Sequence, residues 1–387
     1  MRAPFWTKIA VAFSVVVAAP VMAQTPSITP DLYDGTGSFY QPPPEKRDDV
    51  AKTYADEAKV AETQKAALRK AALSGGNAAK VAYATLLEQG QGTMLPDLTA
   101  AFDMYQSAAD LGDVLSREKV CLAYLLGEGR PVDFAKGMSY CNKLSDKDAT
   151  GQFSIAFDYD HGVSGPADKD MAMSIYAEAG KTGSGDAMTA IGRQALTSGK
   201  PDAARAWFRR GVVLGSGDAM DELAALFESG TGGPTDPSEA YWLYANAARR
   251  GNAHAVAWLA ANPSAQPLRR VTLLAGKKSL ITQTVVDKAG KHVEPLDVMK
   301  LGQELSSYFP ETAVQQQVEG QAIIQCYINA GHEVDVCLLE NEAPQGFGFG
   351  NILLAVFNGQ LNVADTDSEG IATANTAFAF NFRWLLH

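Results

Sequence analysis

Gly230-Thr-Gly-Gly-Pro234-Thr-Asp236-Pro-Ser-Glu-Ala240-Tyr-Trp242-Leu-Tyr244-Ala-Asn-Ala247-Ala248-Arg-Arg-Gly251 is the stretch that decides the fold. Gly230 closes an apolar helical run, because glycine suits the left-handed residue after a helix C-terminus. Pro234 bars that helix from continuing. Asp236 is placed to cap the next helix by accepting from its unpaired backbone N–H groups. That helix carries Tyr244 eight residues after the aspartate, and Gly251 follows seven residues later, where a turn is expected.

The same unit recurs. Pro96, Pro131, Pro166, Pro201 and Pro234 stand at a step of about 35 residues. Each is followed within two residues by Asp97, Asp133, Asp168, Asp202 or Asp236. Gly90, Gly127, Gly162 and Gly199 precede the earlier prolines as Gly230 precedes the last. Tyr105, Tyr176 and Phe208 correspond to Tyr244, each with a glycine seven residues on (Gly112, Gly183, Gly215). A helix-pair unit of this period can bury its apolar face only against its neighbours, so the expected fold is a solenoid. The expected class is mainly α: a right-handed α/α solenoid of five helix pairs over 77–261, then a small α+β unit of order β-β-α-β. The fourth copy is the most degenerate, with its loop shortened to Ser198-Gly199-Lys200-Pro201.

These residues resemble the Sel-one-like repeat, a relative of the TPR. The fifth copy carries its pattern most fully, and the second keeps Gly127, Gly129, Asp133, Ala135 and Lys136. The resemblance spans Ala78 to about Leu259. It implies a surface that presents itself to other proteins rather than a catalytic centre.

Residues 1–23 read as a secretory signal: Arg2 and Lys8, an apolar run from Ile9 to Ala19, and Val21-Met22-Ala23 before Gln24. The run is shorter than the roughly 20 residues a spanning helix needs. An uncleaved anchor is the alternative. Loss of this segment removes two basic and no acidic residues, moving the net charge from −11 to −13. An acidic chain argues against nucleic acid and anionic lipid as partners. Residues 24–44, with Pro26, Pro30, Pro42, Pro43 and Pro44, read as an extended lead-in, and 45–76 as an N-terminal capping helix.

Pro263 and Pro267 end the solenoid. A connecting region over 262–307 has possible strands between Val271 and Val286 and a helix near Leu296 to Tyr308. Gly320 to Asn329 and Val334 to Leu339 flank a short turn and form a β-hairpin by pattern. Gly348 to Phe357 reads as an apolar helix and Gly370 to Trp384 as a last strand with Phe378, Phe380 and Phe382 in alternation. Tyr308-Phe309-Pro310, Glu319-Gly320 and Pro344-Gln-Gly346-Phe-Gly348-Phe resemble the C-terminal domain of TonB-type proteins over 308–387. Two departures stand out: Leu361-Asn362-Val363 replaces the family's aromatic-x-Pro, and the long Pro/Lys/Glu-rich spacer is absent. In that family the last strand receives a short peptide from a receptor. The resemblance therefore implies an edge at about Thr373 to Phe382, with Thr373, Asn375, Thr376 and Asn381 as polar partner-binding residues. The alternative is an edge already covered by residues 271–286.

Four cysteines allow three pairings. By repeat register Cys121 falls in the column of Ala84, Ala156, Gly192 and Ala224, and Cys141 in that of Tyr105, Tyr176, Phe208 and Tyr244. In the repeat family these columns pack together, which implies Cys121–Cys141. Cys326 and Cys337 lie on neighbouring strands of the hairpin, which implies Cys326–Cys337. The alternative is buried free thiols.

No catalytic constellation, metal motif or cofactor site is present in the sequence. The five histidines form no recognised ligand pattern. Gly180-Lys181-Thr182 lacks the first glycine of a phosphate loop, and Gly346-Phe-Gly348-Phe-Gly350 opens no βαβ unit. The expected function is a periplasmic, non-enzymatic interaction scaffold that binds an envelope protein or peptide through the solenoid's inner surface and the C-terminal sheet edge. The alternatives are a TonB-type energy transducer anchored by an uncleaved segment, against which stands the lack of an ionisable residue in Ile9–Ala19, and an accessory factor for a cell-wall enzyme.

Overall fold

The computed structural model describes residues 63, 65–89, 97–263, 268–269, 271, 273–275, 278–287, 290–296, 301, 305, 308–343, 347–358, 361–368 and 370–384. The signal segment 1–23, the lead-in 24–44, most of the capping helix, Gly90, Pro96 and Pro344–Gly346 lie outside the described residues. Residues 65–74 are helical.

Eleven helices follow: α1 Asn77–Gln89, α2 Leu98–Asp110, α3 Val114–Leu126, α4 Phe134–Cys141, α5 Ala149–His161, α6 Lys169–Lys181, α7 Gly185–Thr197, α8 Pro201–Val213, α9 Gly217–Ser229, α10 Pro237–Arg249 and α11 Ala253–Ala261. The Pro-Asp loops do what their chemistry requires. Asp97, Asp133, Asp168 and Asp236 each cap a second helix, accepting from the N–H of Ala100, Lys136, Met171 and Glu239. Each such cap stabilises by about 1 kcal/mol. Asp202 is the exception: in the shortened fourth loop the cap position is Lys200, Pro201 is the first helical residue, and Asp202 lies inside the first turn. The loop has lost the residues that would set an aspartate outside the helix. Gly127, Gly162 and Gly230 end α3, α5 and α9 in the left-handed conformation.

The small and aromatic columns form the inter-helix core. Ala84, Ala156 and Ala224 are buried, as are Tyr105, Tyr176, Phe208 and Tyr244. Cys121 and Cys141 are joined by a disulfide at the equivalent point. Buried Arg205 ties the fifth loop to α8: its Nε donates to the Thr231 carbonyl at 2.9 Å, and its Nη2 to those of Leu226 at 2.6 Å and Pro234 at 2.9 Å. Its guanidinium lies over Phe227, 4.5 Å from the ring centroid.

From Leu268 onward the chain forms a second compact unit. The described residues of the expected connecting region from Leu268 on fall within this unit. Three sheets are present among the described residues. β1 (Leu274–Ala275) pairs with β2 (Lys278–Ser279), and β3 (Ile281–Asp287) lies between β4 (Gly290–Pro295) and the short β7 (Leu361–Val363). The third sheet places β5 (Gly320–Ile328) between β6 (Val334–Ala343) and β8 (Thr376–Trp384), all antiparallel. Between β4 and β5 lies the short helix α12 (Glu311–Gln315). The helix α13 (Phe349–Phe357) follows β6, and β7 (Leu361–Val363) leads from it toward β8. Residues 301 and 305 are the described helical residues of the stretch expected near 296–308.

Alternation along β8 puts Phe378 and Phe380 against Phe357, at ring-centroid distances of 6.4 and 4.6 Å. Phe349 meets Trp384 at 5.1 Å. Gly320 makes room for Phe349, because a Cβ there would stand 2.0 Å from its ring. Glu342 accepts from the N–H groups of Phe347, Gly348 and Gly350, which caps the start of α13. Cys326 and Cys337 face each other across β5 and β6 and are bonded.

Candidate partner-binding surfaces

Two surfaces follow from these elements. The first is the inner side of the solenoid. Charges from distant repeats come within electrostatic reach of one another there: Glu128 feels Asp186, Asp218, Lys119 and Glu88, and Glu88 feels Arg250. Such convergence is possible only on the side toward which the superhelix curves. Most of these groups are paired. Lys119 Nζ lies 2.7 Å from Glu88 Oε1, and Tyr105 donates to Glu88 Oε2 at 2.8 Å. Burial alone would raise the Glu88 carboxyl, but the Lys119 cation holds it below its ordinary value. Arg193 reaches Asp218 at 2.8 Å and Glu222 at 2.6 Å, and Asn252 Nδ2 donates to Asp218 at 2.9 Å. Toward the end, His254 meets Asp221 at 2.8 Å, which raises the imidazole, and Trp258 donates to Glu228. The face is polar and net acidic, with its charged groups drawn mainly from α1, α3, α7 and α9.

The second surface is the outer edge of β8. Ala377 is hydrogen-bonded outward: its N–H donates to the Arg269 carbonyl at 3.0 Å, and its carbonyl accepts from the Val271 N–H at 2.9 Å. Backbone groups alternate sides along an antiparallel strand. Ala379, Asn381 and Arg383 therefore direct their N–H and C=O groups to the same outer side as Ala377. No described strand pairs with them there. Ala379 and Arg383 are exposed. The opposite edge of the sheet is occupied in part, since Cys337 N–H donates to Asn358 Oδ1 at 2.8 Å and Glu333 bridges to Asn362 of β7.

The residues expected to meet a partner are distributed differently. Thr373 and Asn375 precede β8, which begins at Thr376. Thr373 is fully buried; its hydroxyl donates to the Ala364 carbonyl at 2.6 Å and lies 2.8 Å from His332 Nδ1. Thr376 is buried and its hydroxyl is given to the Thr373 carbonyl. Its backbone, by the same alternation, faces β5. Both threonines are thus turn-forming groups of the loop into β8 rather than solvent-tolerant contacts. Asn375 is exposed and accepts from Tyr327. Asn381 contributes its outward backbone. Sequence reasoning missed Ala379 and Arg383; the strand parity that selects them depends on where residues 269–271 bond, which the sequence does not display.

His332, Thr373 and Asp365 resemble a nucleophile–base–acid series, with Nε2 of His332 3.8 Å from Asp365. Thr373 is fully buried, with its hydroxyl given to the Ala364 carbonyl. His161 is exposed and stacks on Phe157 at 3.8 Å. Among the described residues, no group of three or more His, Cys, Asp or Glu could hold a metal ion. No described helix is long and apolar enough to cross a membrane.

The Sel1 repeat family matches residues 78–113, 117–148 and 217–252, which are the first, second and fifth units. Those three units of the solenoid carry the Sel1 repeat pattern. No curated protein matches the chain. Among solved structures, a Sel1 repeat protein from Oxalobacter formigenes is 23% identical, covering 48% of this chain and 75% of that one, with a TM-score of 0.30. A protective antigen of uropathogenic Escherichia coli is 24% identical over 49% of this chain and 41% of its own, with a TM-score of 0.28. An immunity protein from Pseudomonas aeruginosa is 21% identical over 47% and 68%, with a TM-score of 0.31.

Proposed function

We propose that this Sel1-like repeat protein is a non-catalytic scaffold of the cell envelope that holds a protein or peptide segment on the outer edge of β8, with the solenoid's inner face as a second contact. The observation that carries this is the row of outward N–H and C=O groups at Ala379, Asn381 and Arg383, met by no described strand. Such a row is a template for an added strand. The phenylalanines behind it fix the strand to α13, so the edge is held ready at little ordering cost. The central β5, the hairpin disulfide and the helix before the last strand support a TonB-type C-terminal domain. Two disulfides and the signal-like residues 1–23 support export to the periplasm.

Site-specific photocrosslinking in intact exporting cells tests the reading. A photoreactive residue at Ala379 or Arg383 should give a discrete adduct. Adducts only from a residue placed at His254 would move the site to the solenoid. Adducts from neither would remove the scaffold reading altogether.

A further inference from the structure

The second repeat's loop after α3 is seated against the far end of the solenoid. A Cβ at Gly251 would stand 2.8 Å from Leu98 Cδ1, 3.2 Å from the Gly129 nitrogen and 3.7 Å from the Glu128 carbonyl carbon. A Cβ at Gly217 would stand 3.7 Å from Glu128 Oε1 and 3.3 Å from Arg250 Cβ. The turn after α10 and the start of α9 therefore touch a loop three repeats earlier. The superhelix comes back on itself, and glycines at both points permit the approach.

Glu128 stands at this closure among like charges. Asp186 faces it from α7, Asp218 from α9 and Glu88 from α1; Lys119 of α3 is the cation that acts on it. The neighbours are already engaged: Lys119 with Glu88, Asp218 with Arg193 and Asn252, and Asp186 with Ser216. Arg250, on the closing turn, acts on Glu88. An ionised Glu128 in the closed arrangement gives up part of its water and meets three carboxylates. In an open arrangement it returns to solvent.

We propose that this contact is a clasp, holding the solenoid closed while Glu128 is protonated and releasing it when Glu128 ionises. Burial, then Asp186 and Asp218, push the Glu128 carboxyl from 4.5 up to about 8. Burial likewise pushes Asp186 up to about 6, against its hydrogen bond from Ser216. The sign follows by linkage. A carboxyl raised in the closed state leaves closure at full strength below its ordinary value. From there up to about pH 8 the closed-to-open ratio falls about tenfold per pH unit. Above that it is constant. Opening would bare the inner face, whichever partner uses it.

Amide hydrogen exchange of the full chain, corrected for intrinsic pH dependence, tests the clasp at segments 127–132 and 247–254, with α5 as internal reference. Between pH 5 and pH 9 protection at both segments should fall at least tenfold relative to α5. In Glu128→Gln the fall above about pH 6, where Asp186 is already ionised, should be absent. Glu128→Lys, which sets a cation among Asp186 and Asp218, should behave the same way and serves as the second variant if the first folds poorly by circular dichroism. Wild-type protection that does not change with pH, or variants that lose protection as the wild type does, would overturn the proposal.

Discussion

Gly192 shows how much one atom decides in this fold. It occupies the small column opposite Phe208, and a Cβ there would stand 2.4 Å from Phe208 Cε1. Its backbone is ordinary helix, so the constraint is packing alone. Gly192→Ala should destabilise the solenoid by about 1–3 kcal/mol, the usual cost of overpacking. Phe208→Leu in the same chain should recover part of that loss, giving a favourable coupling in urea unfolding. Additive losses would show that the two columns do not press on each other. This contact was legible in the sequence, because repeat spacing set Gly192 in the column of Ala84, Ala156 and Ala224. Asp202 was not: its identity matches the other aspartates, but a loop three residues short from glycine to aspartate moves it from cap to first turn. Thr373 was misread for a related reason, since a threonine in a polar run reads as exposed until a loop folds over it.

At the scale of elements the second repeat departs from the others. α4 has 8 residues where the second helices of the remaining pairs have 13. The aromatic that would anchor its last turn is Cys141, bonded to Cys121. The disulfide stands where the other repeats pack a ring. We expect Cys121→Ser/Cys141→Ser to cost about 2–4 kcal/mol in urea unfolding. Cys121→Ala/Cys141→Tyr, which restores the small–aromatic pair of the other repeats, should recover a measurable part of it. Equal stability of the wild type and the serine pair would mean that α4 is held by its neighbours alone. Both pairings were readable from register and hairpin geometry. The β3–β4–β7 sheet was not, because β7 has three residues and joins β3 from far along the chain.

For the whole molecule, repetition was readable and curvature was not. The Pro-Asp step fixes the unit, yet the small rotation between successive units decides whether the last repeat reaches the second. That rotation is set by side-chain volumes at each interface and leaves no periodic mark. The same holds for the β8 edge: the strand could be read from Phe378, Phe380 and Phe382, but the bonding of Ala377 to residues 269–271 fixes which backbone groups face outward. The claim that those groups hold a partner is tested most directly by Ala379→Pro. It removes one outward N–H and leaves the bonds to β5 in place. We expect a melting temperature close to wild type and affinity for the crosslinked partner reduced at least tenfold, as measured by titration calorimetry with both purified proteins. Unchanged affinity in a folded Ala379→Pro protein would contradict the account.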